Sequence, residues 1–368
     1  MSRSVILVGL TVPMSLSLLG NRLSMMVDRG WEVHVACGEP MPSQYRPDPR
    51  VALHHIPMTR DISPISDLRS LSDWYALIGH LKPTHVIGAT PKAGFLSMLA
   101  ARRRRVPNRL FEAWGARWDG VYGIRGAMLR AADRATVASA TQTVAVSDSL
   151  ADLFVSRGIA KCRPTVLGHG ATQGVDVSRF FPAPERLRVG LPGMVGFLGR
   201  LAADKGIADL TTVMECVRTL MPDTELRIAG EIDSADPVNV HTQAWLAASP
   251  YNTLLGQTDE VPAFLRELDV LCFPSHREGL PNALIEAAAC GVPAVAWDVT
   301  GTRDAIIDGE TGFLIPLGDH EAMADRIIQI LADSHLADRL GATARELALE
   351  RFDSRLVQSA FVDFIADL

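Results

Sequence analysis

A chain of 368 residues with 48% hydrophobic and 21% charged side chains is long enough for two globular domains of ordinary size. Its net charge of −6 argues against a general nucleic-acid binder, and no run approaches the roughly 20 apolar residues of a membrane span. The five cysteines (Cys37, Cys162, Cys216, Cys272 and Cys290) lie far apart, without C-x-x-C or metal-ligand spacing, and read as reduced thiols of a cytosolic protein.

In chain order, residues 5–10 form an apolar run ended by Thr11-Val12-Pro13. Arg3 followed by VILVGLTVPMSLSLLG could pass for a signal peptide, but no A-x-A cleavage site follows. A helix over 21–29 leading into a strand over 32–36 makes a first β-α-β unit, which explains the same residues better. No G-x-G-x-x-G follows the first strand, which disfavours a standard dinucleotide site. Ser15, Ser17 and Asn21 supply the hydrogen-bonding side chains near that first loop. Further strands are predicted at 51–56, 85–88, 109–112 and 142–146, with helices at 66–81 and 95–103. Strands alternating with helices indicate a mostly parallel sheet.

The segment 88–94 (GATPKAG) follows a strand and opens a helix, so Thr90, Lys92 and the helix N-terminus could hold an anionic group. A surface lysine after a turn is the plainer alternative. Residues 102–134 carry nine arginines, Arg117 among them, against three acids, with Trp114, Trp118 and Tyr122 interspersed. A basic, aromatic-bearing surface fits anionic lipid headgroups or a diphosphate-lipid acceptor, and a solvated, salt-bridged helix end is the alternative. Ser147 is placed to cap a helix. The glycine-rich stretch 168–177 and the proline-bearing stretch 180–193 read as hinge and linker.

A fresh apolar strand at 195–198 runs into Gly199-Arg200-Leu201-Ala202-Ala203-Asp204-Lys205-Gly206, which is not a Walker loop because it lacks G-K-[ST]. Arg200 offers a planar fork and Lys205 a point charge, although by itself the segment reads as a common strand-turn with surface charges. Another strand is expected at 226–230, followed by Glu231. The segment 268–316 organises the remainder. A buried strand at 270–273 leads into a turn over 275–279. Pro281 then suits the first position of a helix over 282–289 that stops at Cys290-Gly291, and a second strand covers 292–297. The free amides of that helix near Gly279, Leu280, Pro281 and Asn282 favour a diphosphate, with Glu278 before the helix and Glu286 roughly 7 Å further along it. That is the layout of a nucleotide sugar, whose hydroxyls would lie at both ends of the pyrophosphate. Glu286 stands among alanines, leucine and isoleucine, where a carboxylate needs a partner or a ligand. Residues 300–304 form another strand-end loop, and helices are expected at 321–331, 336–349 and in the tail 355–368.

The run Ser275 to Pro293, SHREGLPNALIEAAACGVP, continued by DGETGFLIP, resembles the E-x7-E signature of family 4 retaining glycosyltransferases. The GRLAADKG, TPKAG, VSDSL, GHGATQGVDV and LLGQTD segments are similar to further motifs of that family. The resemblance implies an α/β protein of GT-B fold, with two Rossmann-like domains (parallel sheets flanked by helices) facing a central cleft. It places the acceptor domain at 1–180, joined by a returning helix at 353–368, and the donor domain at 181–352. It gives Glu278 the donor sugar, Glu286 the ribose, Arg200 and Lys205 the diphosphate, and sets Thr258 beside the base, with Gly199 and Glu231 also lining the donor site. On the acceptor side it implicates Thr11, Ser15, Thr90, Lys92 and Arg117, although the histidine many relatives carry there has no evident counterpart. The implied chemistry is metal-independent, with no cofactor. A sugar, UDP-linked by first expectation, would pass by front-face attack to a lipid-diphosphate-linked or other saccharide acceptor, in an enzyme of the cytoplasm peripheral to the inner membrane face. A nucleotide-sugar epimerase and a non-catalytic nucleotide-sugar binding module are the alternatives on this fold.

Overall fold

The computed structural model describes residues 4–39, 47–59, 63–183, 192–233 and 236–368. The chain divides into two compact units, Met1–Gln173 with Ser354–Leu368, and Gly174–Asp353. The expected linker at 180–193 lies largely outside the described residues.

In the first unit β1 (Val5–Leu10), β2 (Glu32–Cys37), β3 (Ala52–His55), β4 (His85–Gly88), β5 (Asn108–Ala113), β6 (Gln142–Ala145) and β7 (Thr165–Val166) form one sheet, ordered β3-β2-β1-β4-β5-β6-β7. Every pairing is parallel. Between the strands run α1 (Arg22–Asp28), α2 (Pro64–Leu81), α3 (Pro91–Arg103), α4 (Gly123–Ser139) and α5 (Asp148–Ser156). The first six residues of the apolar run that begins at Val5 form β1, the strand from which the sheet extends both ways, buried from Ile6 to Leu10, and Pro13–Leu19 follow as a 3-10 helix. Near-continuous apolar strands are what a parallel sheet covered on both faces requires.

The second unit repeats the pattern with β8 (Met194–Leu198), β9 (Glu225–Ala229), β10 (Asn252–Gly256), β11 (Val270–Phe273), β12 (Ala294–Trp297) and β13 (Gly312–Ile315). Their order is β10-β9-β8-β11-β12-β13, again parallel throughout. The helices are α6 (Ile207–Leu220), α7 (Val240–Ala248), α8 (Val261–Arg266), α9 (Asn282–Ala289), α10 (Thr302–Ala305), α11 (His320–Ala332) and α12 (Ser334–Arg351). Its core packs Val195, Phe197, Val270, Cys272, Val295 and Trp297 against Leu210, Met214 and Ile327. The last helix, α13 (Ser354–Ala366), belongs to the first unit, where Phe361, Val362 and Ile365 join the core of β1, β2 and α1.

In both sheets the strand order reverses at one place, between β1 and β4 in the first unit and between β8 and β11 in the second. Open α/β sheets bind ligands outside the carboxyl ends of the strands at such a switch point. Some elements differ from the sequence expectation. Residues 300–304 are not a plain loop, because Thr302–Ala305 makes a helical turn whose Thr302 hydroxyl is buried against the Trp297 carbonyl (2.7 Å). Pro281 stands one place earlier than expected, at the N-cap of α9 in an extended conformation (φ −77°, ψ 117°). Among the described residues no helix is long and apolar enough to cross a membrane.

Candidate active site

The second unit's switch point is built from the loop after β8 and the loop after β11. Gly206 (φ +69°) lets them touch, since a Cβ there would stand 1.8 Å from the Pro274 carbonyl oxygen. The contact is then fastened by polar groups. The His276 amide donates to the Asp204 carbonyl (3.0 Å), the Arg277 guanidinium to the Asp204 carboxylate (3.1 Å), and Lys205 Nζ to Glu278 Oε1 (2.5 Å). Lys205 and Glu278, 73 residues apart in sequence, are thus a largely buried ion pair at the mouth of the sheet. Arg200, half exposed on the same loop after β8, pairs with Asp233 beyond β9.

Immediately after Glu278 the chain turns into α9. No side chain caps this helix, and Asn282 Oδ1 at its first position is buried without a hydrogen-bond partner. Uncapped first-turn amides and the positive end of the helix dipole suit an anion. One turn along, on the face of Asn282, stands the half-buried Glu286, whose carboxyl has no hydrogen-bond partner among the described residues. Burial pushes its carboxyl up to about 7, with Arg179 pulling the other way. Arg179 donates to the Asp259 carbonyl, which brings the chain beside Thr258 into the same neighbourhood. Thr258 itself accepts from the Glu260 amide (3.1 Å), and Glu231 is exposed, its carbonyl bonded by the Leu201 amide (2.8 Å). Two cations, an open helix N-terminus and two separated carboxylates can between them hold a pyrophosphate and read hydroxyls at either end.

Two family models cover most of the chain. Glycosyl transferases group 1 matches residues 186–347, and the Glycosyl transferase 4-like domain matches residues 23–170. The capsular polysaccharide biosynthesis glycosyltransferase CapM of Staphylococcus aureus is 29% identical over 355 residues, 94% of this chain and 93% of its own. Two solved structures each superpose with a TM-score of 0.80: sucrose-phosphate synthase from Thermosynechococcus elongatus (19% identity, 99% of either chain) and Anabaena Alr3699/HepE in complex with UDP-glucose (18% identity, 99% of this chain and 100% of that one). This chain is a GT-B glycosyltransferase of the family 4 type.

In the glycosyltransferase's first unit the switch point is closed on itself. The Thr11 amide donates to the Thr90 hydroxyl (2.8 Å), the two hydroxyls share a hydrogen bond (2.7 Å), and the Ala93 amide in the first turn of α3 donates to Thr11 Oγ1 (3.2 Å). Lys92 is held by Asp67 (2.6 Å), and Ser15 is buried. Of the residues expected on the acceptor side, Thr11 and Thr90 are in contact, while the Lys92 ammonium is turned to Asp67 and Thr59. Arg117 is exposed nearby in sequence. The aromatic surface expected over 102–134 needs correction: Trp118 is buried and donates its indole N–H to Asp133 (2.7 Å). Burial pushes that carboxyl up to about 6 against the pull of the hydrogen bond. Tyr122 is the exposed aromatic, at 88%, followed by Ile124 at 82%. Asp233, Arg179 and Asp209 were not singled out from sequence; the acids close behind strand ends were the available signal.

Proposed function

We propose that this glycosyltransferase transfers a sugar from a nucleoside diphosphate sugar, with UDP as first candidate, to a lipid-diphosphate-linked saccharide during cell-surface polysaccharide synthesis, with retention of configuration. The observation that carries the reading is the Lys205–Glu278 pair set at the sheet's switch point against the uncapped start of α9, with Glu286 unpartnered one turn beyond. The names of relatives support it: CapM is a capsular polysaccharide enzyme, and the structurally similar Anabaena protein was solved with UDP-glucose.

In this reading Arg200 and Lys205 exchange Asp233 and Glu278 for the arriving pyrophosphate. The half-exposed Arg200 gives up a pair worth only about 0–1 kcal/mol, and the largely buried Lys205 exchanges one anionic partner for another, so that its charge is not left unpaired. The two cations and the α9 amides then stabilise charge growing on the departing nucleoside diphosphate, a contribution for which loss of one donor typically lowers kcat by about 10²–10³-fold. Glu278, released from Lys205, accepts from a hydroxyl of the donor sugar, and Glu286 from the ribose. The acceptor hydroxyl attacks from the face the diphosphate leaves, whose oxygen takes the proton. No metal or cofactor enters the proposal. Acceptor lipid would reach the first unit beside Tyr122, Ile124, Arg125 and Met128, all exposed at the amino end of α4 and so at the carboxyl edge of the sheet. This surface supports a peripheral position on an anionic membrane.

The test is incubation of purified protein with UDP-sugars and membrane lipid extract. UDP release that depends on lipid, with product of unchanged anomeric configuration by NMR, is the expected result. Isomerised sugar nucleotide without acceptor would favour an epimerase, and binding without either reaction a non-catalytic module.

A further inference from the structure

Two imidazoles converge on one carboxylate behind the donor loops. Asp209, in the first turn of α6, bonds His276 Nε2 through Oδ2 (2.5 Å) and His320 Nε2 through Oδ1 (2.8 Å). An ionised carboxylate only accepts, so both imidazoles donate their Nε2–H. His276 stands two positions ahead of Glu278. His320 opens α11 with its ring edge-on to Trp297 at the end of β12 (centroids 5.6 Å apart, 83° between planes). One side chain therefore ties α6, the loop after β11 and the start of α11 together at the carboxyl edge of the sheet.

We propose that Asp209 is a positioning residue for Glu278: through His276 it fixes the loop that carries the sugar-reading acid, and His320 holds the carboxylate in the orientation that does so. The proposal rests on the donor-site reading above. Other side-chain anchors ahead of Glu278 are the buried Ser275 hydroxyl, which donates to the Asp204 carbonyl over a long 3.4 Å, and Arg277 on Asp204, an ion pair that is itself partly exposed. All of these, like the His276 amide, reach back to Asp204, whereas Asp209 is the anchor that ties the loop to α6.

The charges around the clamp give it a pH signature. Burial resists ionisation of Asp209, and the hydrogen bonds from His276 and His320 outweigh it, so this carboxyl sits below the ordinary range. His276 is raised above the ordinary histidine range, chiefly by its hydrogen bond to Asp209; burial opposes this, Asp204 adds to it and Arg277 subtracts. Those are the charged groups facing His276 from α6, the loop after β8 and its own loop. Cys272 beneath them on β11 is kept as a neutral thiol by burial. With a raised pKa in the folded protein, the charge-assisted bond is complete at low pH and is lost as pH rises through that value, leaving a neutral donor of roughly half the strength.

Kinetics from about pH 6 to 9, with UDP affinity measured by calorimetry, test the clamp in the full chain. Asp209→Asn is expected to lower kcat about tenfold or more, to shift its alkaline limb to lower pH and to leave the UDP Kd within about twofold of wild type. His276→Gln still offers an amide donor to Asp209, so it should retain most of kcat while the alkaline limb disappears. That separation is one a merely structural defect would not produce. Wild-type kcat and pH profile in Asp209→Asn would overturn the proposal. So would a loss of UDP affinity as large as the loss of kcat, or a His276→Gln enzyme that keeps the limb. Failure of the wild-type protein to bind UDP, or binding that Lys205→Ala leaves intact, would sink the donor-site reading and the clamp with it.

Discussion

Glu286 shows what one residue can reveal. A carboxyl pushed up to about 7 by burial is tolerated protonated and penalised ionised. Its stabilising contribution is present below the ordinary carboxylate pKa and is lost as pH rises through about 7. A ribose hydroxyl donating to it favours the ionised form. UDP binding near neutral pH should therefore expel a fraction of a proton. Calorimetry in two buffers of different ionisation heat should show a difference that vanishes in Glu286→Gln; identical heats in wild type would remove the ribose assignment. Glu278 and Glu286 were legible in the sequence because both lie in one continuous segment, where spacing translates directly into position on a helix. Asp209 and His276 were not, because their meeting spans 67 residues and depends on how α6 and β11 are placed side by side. The same holds for Arg200 with Asp233.

At the scale of elements, the packing of the loops after β8 and β11 rests on Gly206. Alanine there brings a Cβ onto the Pro274 carbonyl and places a side chain at φ +69°. Gly206→Ala should destabilise the protein by more than about 1 kcal/mol in urea unfolding and lower kcat/KM for the donor as the loops part. An alanine variant of wild-type stability and activity would show that the loops need no such contact. Strands β1, β4, β8 and β11 could be read from their apolar runs because both faces of a parallel sheet are covered. Helix α4 could not: it buries Gly126, Asp133, Thr136 and Ser139, so its inner face carries no hydrophobic stripe. The edge strand β10 is exposed along most of its length and lacks the buried pattern that marks its neighbours. The turn at Thr302–Ala305 is held by the Thr302 hydroxyl, a local hydrogen bond that no periodicity announces.

Across the whole molecule, one strand order is used twice, and the first unit encloses an ion pair that the second has no counterpart for among its described residues. Arg22 and Glu112 meet at 2.7 Å with side chains 2% and 1% exposed, and the Phe361 ring of α13 lies 4.0 Å from the guanidinium. Arg22 Nε and Glu112 Oε2 have no hydrogen-bond partners among the described residues, so the pair is not fully satisfied even when intact. Breaking a buried pair strands a charge, at a typical cost of about 3–5 kcal/mol. Glu112→Ala should lose that much by urea unfolding, with hydrogen exchange quickening in β1, β5 and α13, while UDP affinity stays unchanged. Protection unchanged in those elements would mean the pair is dispensable.

The placement of α13 has a consequence for how the polypeptide matures. The second unit is one uninterrupted stretch and can assemble as soon as it leaves the ribosome. Its partner is made earlier but lacks Phe361, Val362 and Ile365, which fill the core around β1 and α1. During synthesis the part translated first is thus the part completed last, and until then a greasy cleft over Leu19, Leu23 and Met26 waits for the chain to come back to it.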